Sequence, residues 1–218
     1  MKRSVKLSLL MVGLMLLLPL QVQASSEEAQ RLKTYVEENT LKLVDQLEQI
    51  QGGFEKDREA FYNNMDAALE DFVAFRRIAA RVMGRYAREA SPEQRNEFVR
   101  QFKRSLYDAY GGAMVDTGDF KLEVREAEIN PRNDQRATVN LRVTTEGGSR
   151  YAVAYSMFRS EQTDWQVENI IVEGINIGLA FRDRFEQEMQ SNGDLADVIN
   201  NWSADVADLD GLEGAVGD

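Results

Sequence analysis

Cysteine and histidine are both missing from this chain of 218 residues, and proline occurs only three times. With neither thiol nor imidazole, Ser-His-Asp and Cys-His nucleophile systems, nearly all zinc sites and haem ligation by histidine are excluded. The absence of cysteine also rules out disulfides and a lipid-modified cysteine anchor, so the core alone must hold the fold. Any catalysis would have to run on carboxylates, Tyr, Lys or Ser. Long apolar runs are equally scarce. The one present, Leu7 to Leu20, is shorter than the ~20 residues a spanning helix wants, and nothing like it recurs.

That run has the flanks of an export signal. Lys2, Arg3 and Lys6 form a positive start, and Val22-Gln23-Ala24 offers small or modest residues before Ser25. Residues 1–24 are therefore expected to be a cleaved signal peptide, which places the remaining 194 residues in an exported compartment, most simply a bacterial periplasm. The formal charge is −11 for the whole chain and −14 without the leader, which holds three positive residues and no acid. Such an acidic protein is a poor ligand for nucleic acid or for bulk anionic membrane. The residue count suits one domain, 25–202, followed by an acidic, Gly-dotted flexible tail at 203–218.

Periodicity supplies the elements. Ala29, Leu32, Val36, Leu43, Leu47 and Ile50 return at helical steps over Ser26–Gln51, with Gly52-Gly53 as a stop. A shorter helix is expected within Asp57–Leu69, and another over Asp71–Arg88, where Phe72, Phe75, Ala79, Val82, Met83 and Tyr86 form one stripe. Ser91-Pro92-Glu93-Gln94 reads as a capping box with Pro at the first helical position, opening a helix that carries Phe98, Phe102, Leu106, Ala109 and Ala113 inward. Alternation then takes over in Phe120–Ile129, Arg136–Thr145, Arg150–Arg159 and Trp165–Glu173, joined by turn residues. Helical spacing returns with Ile177, Phe181, Phe185 and Met189, and a last helix is expected near Asp194–Trp202. The fold expected is α+β, a single domain with a four-stranded antiparallel curved sheet and helices packed on one face. What covers the apolar strand face decides between a filled core and a container.

The ordered set Asp71-Phe72, Gly84-Arg85-Tyr86, Ser91-Pro92-Glu93-Gln94-Arg95, Phe98, Phe102, Trp165-Gln166-Val167, Val172-Glu173-Gly174 and Phe181-Arg182 resembles the MlaC family over roughly Asp57 to Trp202. These are phospholipid-binding components of a lipid-transport pathway, also called toluene-tolerance auxiliary proteins. Two departures stand out: Ala180-Phe181-Arg182 where the family often has Asn-Tyr-Arg, and Glu168 where an aromatic residue is common. The resemblance implies a fold related to the NTF2-like group, with a lipid cavity between sheet and helices that takes phospholipid acyl chains. It also implies a soluble shuttle, not an enzyme, working between an outer-membrane lipoprotein–porin complex and an inner-membrane ABC transporter with an MCE-domain subunit, so that outer-membrane lipid asymmetry is maintained. The protein is read as a monomer with no metal and no cofactor, phospholipid being its cargo.

The physical demand on such a carrier is severe. Exposed tails cost ~0.8 kcal/mol per methylene, so two long chains in water cost on the order of tens of kcal/mol. An enclosed cavity near or above ~1,000 Å³ is then needed. Val139, Leu141, Val143, Val153, Tyr155, Met157, Ile170 and Val172 can form its floor, and Phe75, Met83, Phe102, Leu106, Tyr110, Leu179 and Phe185 its walls. Each fits an ordinary core position equally well, because stripes look the same around filled and empty space.

One charge feature stands apart from the resemblance. Between Arg76 and Arg104 nine positive residues meet three acids, a local +6 in an acidic chain. Arg77, Arg81, Arg85 and Arg88 would share one helical face, either simply solvated or a docking patch for an acidic partner or lipid phosphates. Arg142, Arg150 and Arg182 are further candidates for a headgroup contact at the rim. Two other functions stay open: a chaperone for apolar segments, and a carboxylate enzyme using Glu168, Glu173 and Tyr155.

Overall fold

The structure, a computed structural model, describes residues 18–49, 56–116, 121–145 and 147–204. Most of the expected leader, the Gly52-Gly53 stop, Phe120 and nearly all of the expected tail lie outside these residues, as does the side chain of Tyr110. Helix α1, Leu18–Gln49, runs past the expected cleavage point without a break. Leu32 and Val36, one turn apart, are buried on it. Among the described residues no helix is long and apolar enough to cross a membrane.

Helix α2, Arg58–Leu69, starts at Asp57, whose side chain accepts the Ala60 N–H at 3.0 Å, and buries Phe61, Met65 and Leu69. The next helix differs from the Asp71–Arg88 expectation in both ends. Phe72, Val73 and Ala74 are taken up by the sheet: Val73 forms a parallel bridge with Val167, the Val167 N–H bonds Phe72 O at 2.8 Å, and the Ala74 N–H bonds Val167 O at 3.0 Å. Helix α3 therefore begins at Phe75. It ends at Met83, because Gly84 adopts φ +56°, and a short α4, Tyr86–Glu89, follows.

The capping box is formed as expected. The Ser91 N–H bonds Gln94 Oε1 at 2.9 Å, Gln94 N–H bonds Ser91 Oγ at 3.2 Å, and α5 runs Pro92–Asp116.

Five strands form one antiparallel meander in chain order: β1 Lys121–Ile129, β2 Arg136–Thr144, β3 Arg150–Phe158, β4 Gln166–Val172 and β5 Ile175–Asn176. Sequence reading expected four. The fifth exists because Glu173 and Gly174 both take positive φ, turning the chain back so that Ile175 pairs with Val172. Two irregularities break the ladders, one between Val124 and Glu126, the other at Glu168, which is skipped as Met157 pairs with Val167 and Ser156 with Asn169. Helix α6, Ile177–Asn192, is capped by Asn176 and stopped by Gly193; α7, Leu195–Asn200, is capped by Asp194.

Buried apolar side chains fall into two clusters. One joins α1 to the sheet through Leu32, Val36, Val124, Val139, Leu141 and Met157. The other lies among the helices around Phe98, Phe102, Phe181, Phe185 and Trp202. Val73, half-buried, packs against both.

Candidate functional site

Register puts the eight predicted floor residues on one face. Val139 opposes Tyr155, Leu141 opposes Val153, Val143 opposes Tyr151 and Ala137 opposes Met157; on the far side Val172 meets Val153 and Ile170 meets Tyr155. Burial along that face is graded. Ala137, Val139, Met157 and Val167 are buried at one end, whereas Val143, Tyr151, Val153, Ile170 and Val172 are only half-buried at the other. The sheet thus offers an apolar floor that α1 covers at one end and leaves less covered at the other.

The predicted wall residues lie mostly in the second cluster. Phe75, Met83, Phe102 and Phe185 are buried in the helix core, and Leu106 is packed against it. Edge-to-face contacts tie this core together, with Phe98 5.0 Å from Phe185 and Phe102 5.5 Å from Phe181. Leu179 is a correction. It is 47% exposed, because in the first turn of α6 it lies away from the Phe181, Phe185 and Met189 stripe that faces the core.

What sequence reasoning missed is the partnership of Glu168. Its side chain is 2% exposed and receives three guanidinium groups: Arg77, Arg81 Nη2 at 2.9 Å and Arg136 Nη1 at 2.8 Å. Arg77 also lies over the Phe158 ring, 3.6 Å from its centroid. A bulge position explains how a carboxylate reaches these arginines from a strand with an apolar face. Three cations around one buried anion satisfy it, and the cluster pins α3 to β2 and β4. Arg77 and Arg81 are therefore structural ligands of Glu168, and Arg85 pairs with Glu186 at 2.7 Å. Arg88, Arg142, Arg150 and Arg182 are exposed.

Among the described residues, two surface clefts are of a size to hold a ligand. One, of about 810 Å³, is lined by polar and aromatic side chains from α2, α3, α5 and the β3–β4 turn, Tyr62, Lys103 and Tyr107 among them. Burial, then a hydrogen bond to Asp66 at 2.8 Å, pushes the Tyr107 phenol up. The other, of about 620 Å³, lies between α3, α4, β4 and α6 and gathers Arg81, Arg85, Arg88 and Arg182. None of the eight floor residues lines either cleft.

The carboxylates proposed for catalysis are already engaged. Glu168 is held by its arginines, and Glu173 accepts the N–H of Ala152 in the turn after β4. Tyr155 lies on the apolar face, where burial alone pushes its phenol up to about 12. Among the described residues no cluster of three or more acidic side chains could hold a metal ion.

Comparison with known proteins agrees with this architecture. The sequence profile of the family described as MlaC protein matches residues 37–204. The toluene tolerance protein ttg2D of Pseudomonas putida is 35% identical over 206 residues, spanning 92% of this chain and 93% of that protein. A phospholipid-binding protein from Ralstonia solanacearum, solved in complex with a phospholipid, superposes with a TM-score of 0.68 at 18% identity, over 85% of this chain and 98% of that one. Matched along most of its length by profile and relative, and sharing the fold of the phospholipid-binding protein, this chain belongs to the MlaC family.

Proposed function

We propose that the protein is a non-enzymatic periplasmic carrier that encloses phospholipid acyl chains and moves phospholipid between outer- and inner-membrane transport complexes, so supporting outer-membrane lipid asymmetry. The observation that carries this reading is the graded apolar face, where Val143, Val153, Ile170 and Val172 share one side of the sheet and are only half-buried. Apolar surface left partly open at one end of an otherwise buried face is where an acyl chain gains most, at ~0.8 kcal/mol per methylene removed from water. The division of the core into sheet and helix clusters adds support, since tails can enter between two packed bodies without disrupting either. Arg142 and Arg150, exposed near the half-buried end of β2 and β3, would meet the headgroup at the rim. The phospholipid seen in the Ralstonia protein and the export signal expected at residues 1–24 support the same reading. The partners follow the family's pathway: a lipoprotein–porin complex on one side and an ABC transporter with an MCE-domain subunit on the other.

Native mass spectrometry of the protein purified from its own envelope, with lipid extraction, tests this. The expected result is a bound mass equal to intact diacyl phospholipid. An apo mass with an empty extract would overturn the reading and favour a chaperone of apolar segments.

A further inference from the structure

Arg88 and Arg182 form no ion pair among the described residues, and both line the cleft of about 620 Å³. Arg81 and Arg85 line it too. Against these four charges the lining offers one carboxylate, Glu168, which also binds Arg77 and Arg136 from outside the cleft. Glu186 answers Arg85, and an excess of positive charge still remains in a chain whose overall balance is −11. A concave site concentrates such a field and draws in anions. Guanidinium groups suit the phosphate group in particular, because two parallel N–H donors match two phosphate oxygens.

The same cleft is not wholly polar. Ile78 and Val82 line it, and so does Leu179, one of two large apolar side chains that stand exposed among the described residues. An inorganic anion has no use for that edge. The volume also exceeds what one phosphate fills and lies within the range of small-molecule pockets. We propose that this cleft is a binding site for a phosphate-bearing amphiphile, with the phosphate on Arg88 and Arg182 and the adjoining apolar portion against Leu179 and Ile78. It would be a second, outer lipid contact, apart from the strand face, and a place where a headgroup is held as cargo arrives or leaves. The choice of a lipid ligand rests on the carrier reading; the phosphate chemistry of the cleft does not.

The test is calorimetric titration of the purified protein with dihexanoyl phosphatidic acid below its micelle concentration, beside inorganic phosphate and a poly-glutamate peptide. Arg88→Gln and Arg182→Gln should each weaken phosphatidic acid binding about tenfold, the loss expected for one charge-assisted hydrogen-bonding partner, with melting temperature unchanged. Binding should also fall as salt is raised. Leu179→Ser should weaken phosphatidic acid and leave inorganic phosphate alone. Unchanged affinity in both arginine variants would overturn the site. Inorganic phosphate binding as tightly as phosphatidic acid, with no effect of Leu179→Ser, would overturn the lipid assignment in favour of a soluble phosphate, and preferential capture of poly-glutamate would do so in favour of an acidic protein. Native mass spectrometry of the wild-type protein runs alongside. A wild type that carries no diacyl lipid yet binds phosphatidic acid through Arg88 and Arg182 retains the cleft while the carrier reading falls.

Discussion

Arg136 on β2 reaches past β3 to place its Nη1 2.8 Å from Oε1 of Glu168 on β4. Arg77 and Arg81 arrive at the same carboxylate from α3, so one side chain joins two strands and a helix. Replacing it while keeping its shape, as Glu168→Gln does, leaves three guanidinium groups crowded without their counterion. The cost of removing one member of a fully buried pair is about 3–5 kcal/mol. Because the arginines are 36–41% exposed, solvent screens part of this, and about 1–3 kcal/mol is expected. Urea unfolding decides it: a midpoint equal to wild type would mean that the cluster is not what holds α3 to the sheet.

Changes on opposite faces of the sheet should separate loading from folding. Val153 opposes Leu141 and Val172 on the apolar face, whereas the Asn140 side chain is exposed on the other. Val153→Glu should abolish copurified phospholipid, and Asn140→Asp should leave it in place. If extracts from the two variants were the same, the face assigned to cargo would be wrong.

Alkali should expose the buried phenols. Tyr155 is pushed up to about 12 by burial, and Tyr107 is raised by burial and by its bond to Asp66. A folded-state pKa above the unfolded value of about 10 means the contribution is intact below pH 10 and is lost as pH climbs through about 12. Tyr155→Phe should therefore lose less unfolding free energy than wild type between pH 10 and 12. Parallel losses in the two proteins would remove Tyr155 as a cause.

Ser91 and Gln94 cap α5 reciprocally through two hydrogen bonds. Ser91→Ala should cost about 1 kcal/mol, read as a lower melting temperature. No shift would mean that Pro92 alone is enough to start the helix.

A methyl group at Gly178 would run into Asn169 Oδ1, the atom that accepts the Gly178 N–H at 3.0 Å. Alanine in a helix interior is usually better than glycine by up to about 1 kcal/mol. Gly178→Ala should reverse that sign and lower the unfolding midpoint; a stabilised variant would show that Asn169 can turn aside freely.

Elements fixed by local pattern were legible from sequence. The alternation of Val139, Leu141 and Val143 against polar neighbours, and the Ser91–Gln94 signal, needed only near neighbours to act. The α3 boundary was not legible, because the stripe through Ala79, Val82, Met83 and Tyr86 continues past Gly84, whose backbone conformation periodicity cannot register. Nor could the ladder bonds from Phe72 and Ala74 to Val167 be read from a segment that scans as helix. Glu168 is the clearest case. Its partners lie 91, 87 and 32 residues away, and a bulge inverts the direction that alternation would assign it. Sequence reasoning saw an acid near an apolar pocket and a separate run of arginines; tertiary structure makes them one object. The Arg88–Arg182 cleft is half legible: helical spacing puts Arg81, Arg85 and Arg88 on one face, but nothing local shows that α6 brings Arg182 opposite α3 and α4.

Val73 occupies an odd position in this arrangement. Its backbone is bridged to Val167 while its side chain packs against both apolar clusters. Close-packed interiors have low compressibility and transmit strain. The Val73–Val167 bridge and the Glu168 cluster thus fasten helix to sheet at adjoining points, one through backbone hydrogen bonds and the other through charge. Since Val73 touches both apolar clusters, a change in its bulk would be felt on the two sides of that seam at once, like a knot shared by two ropes.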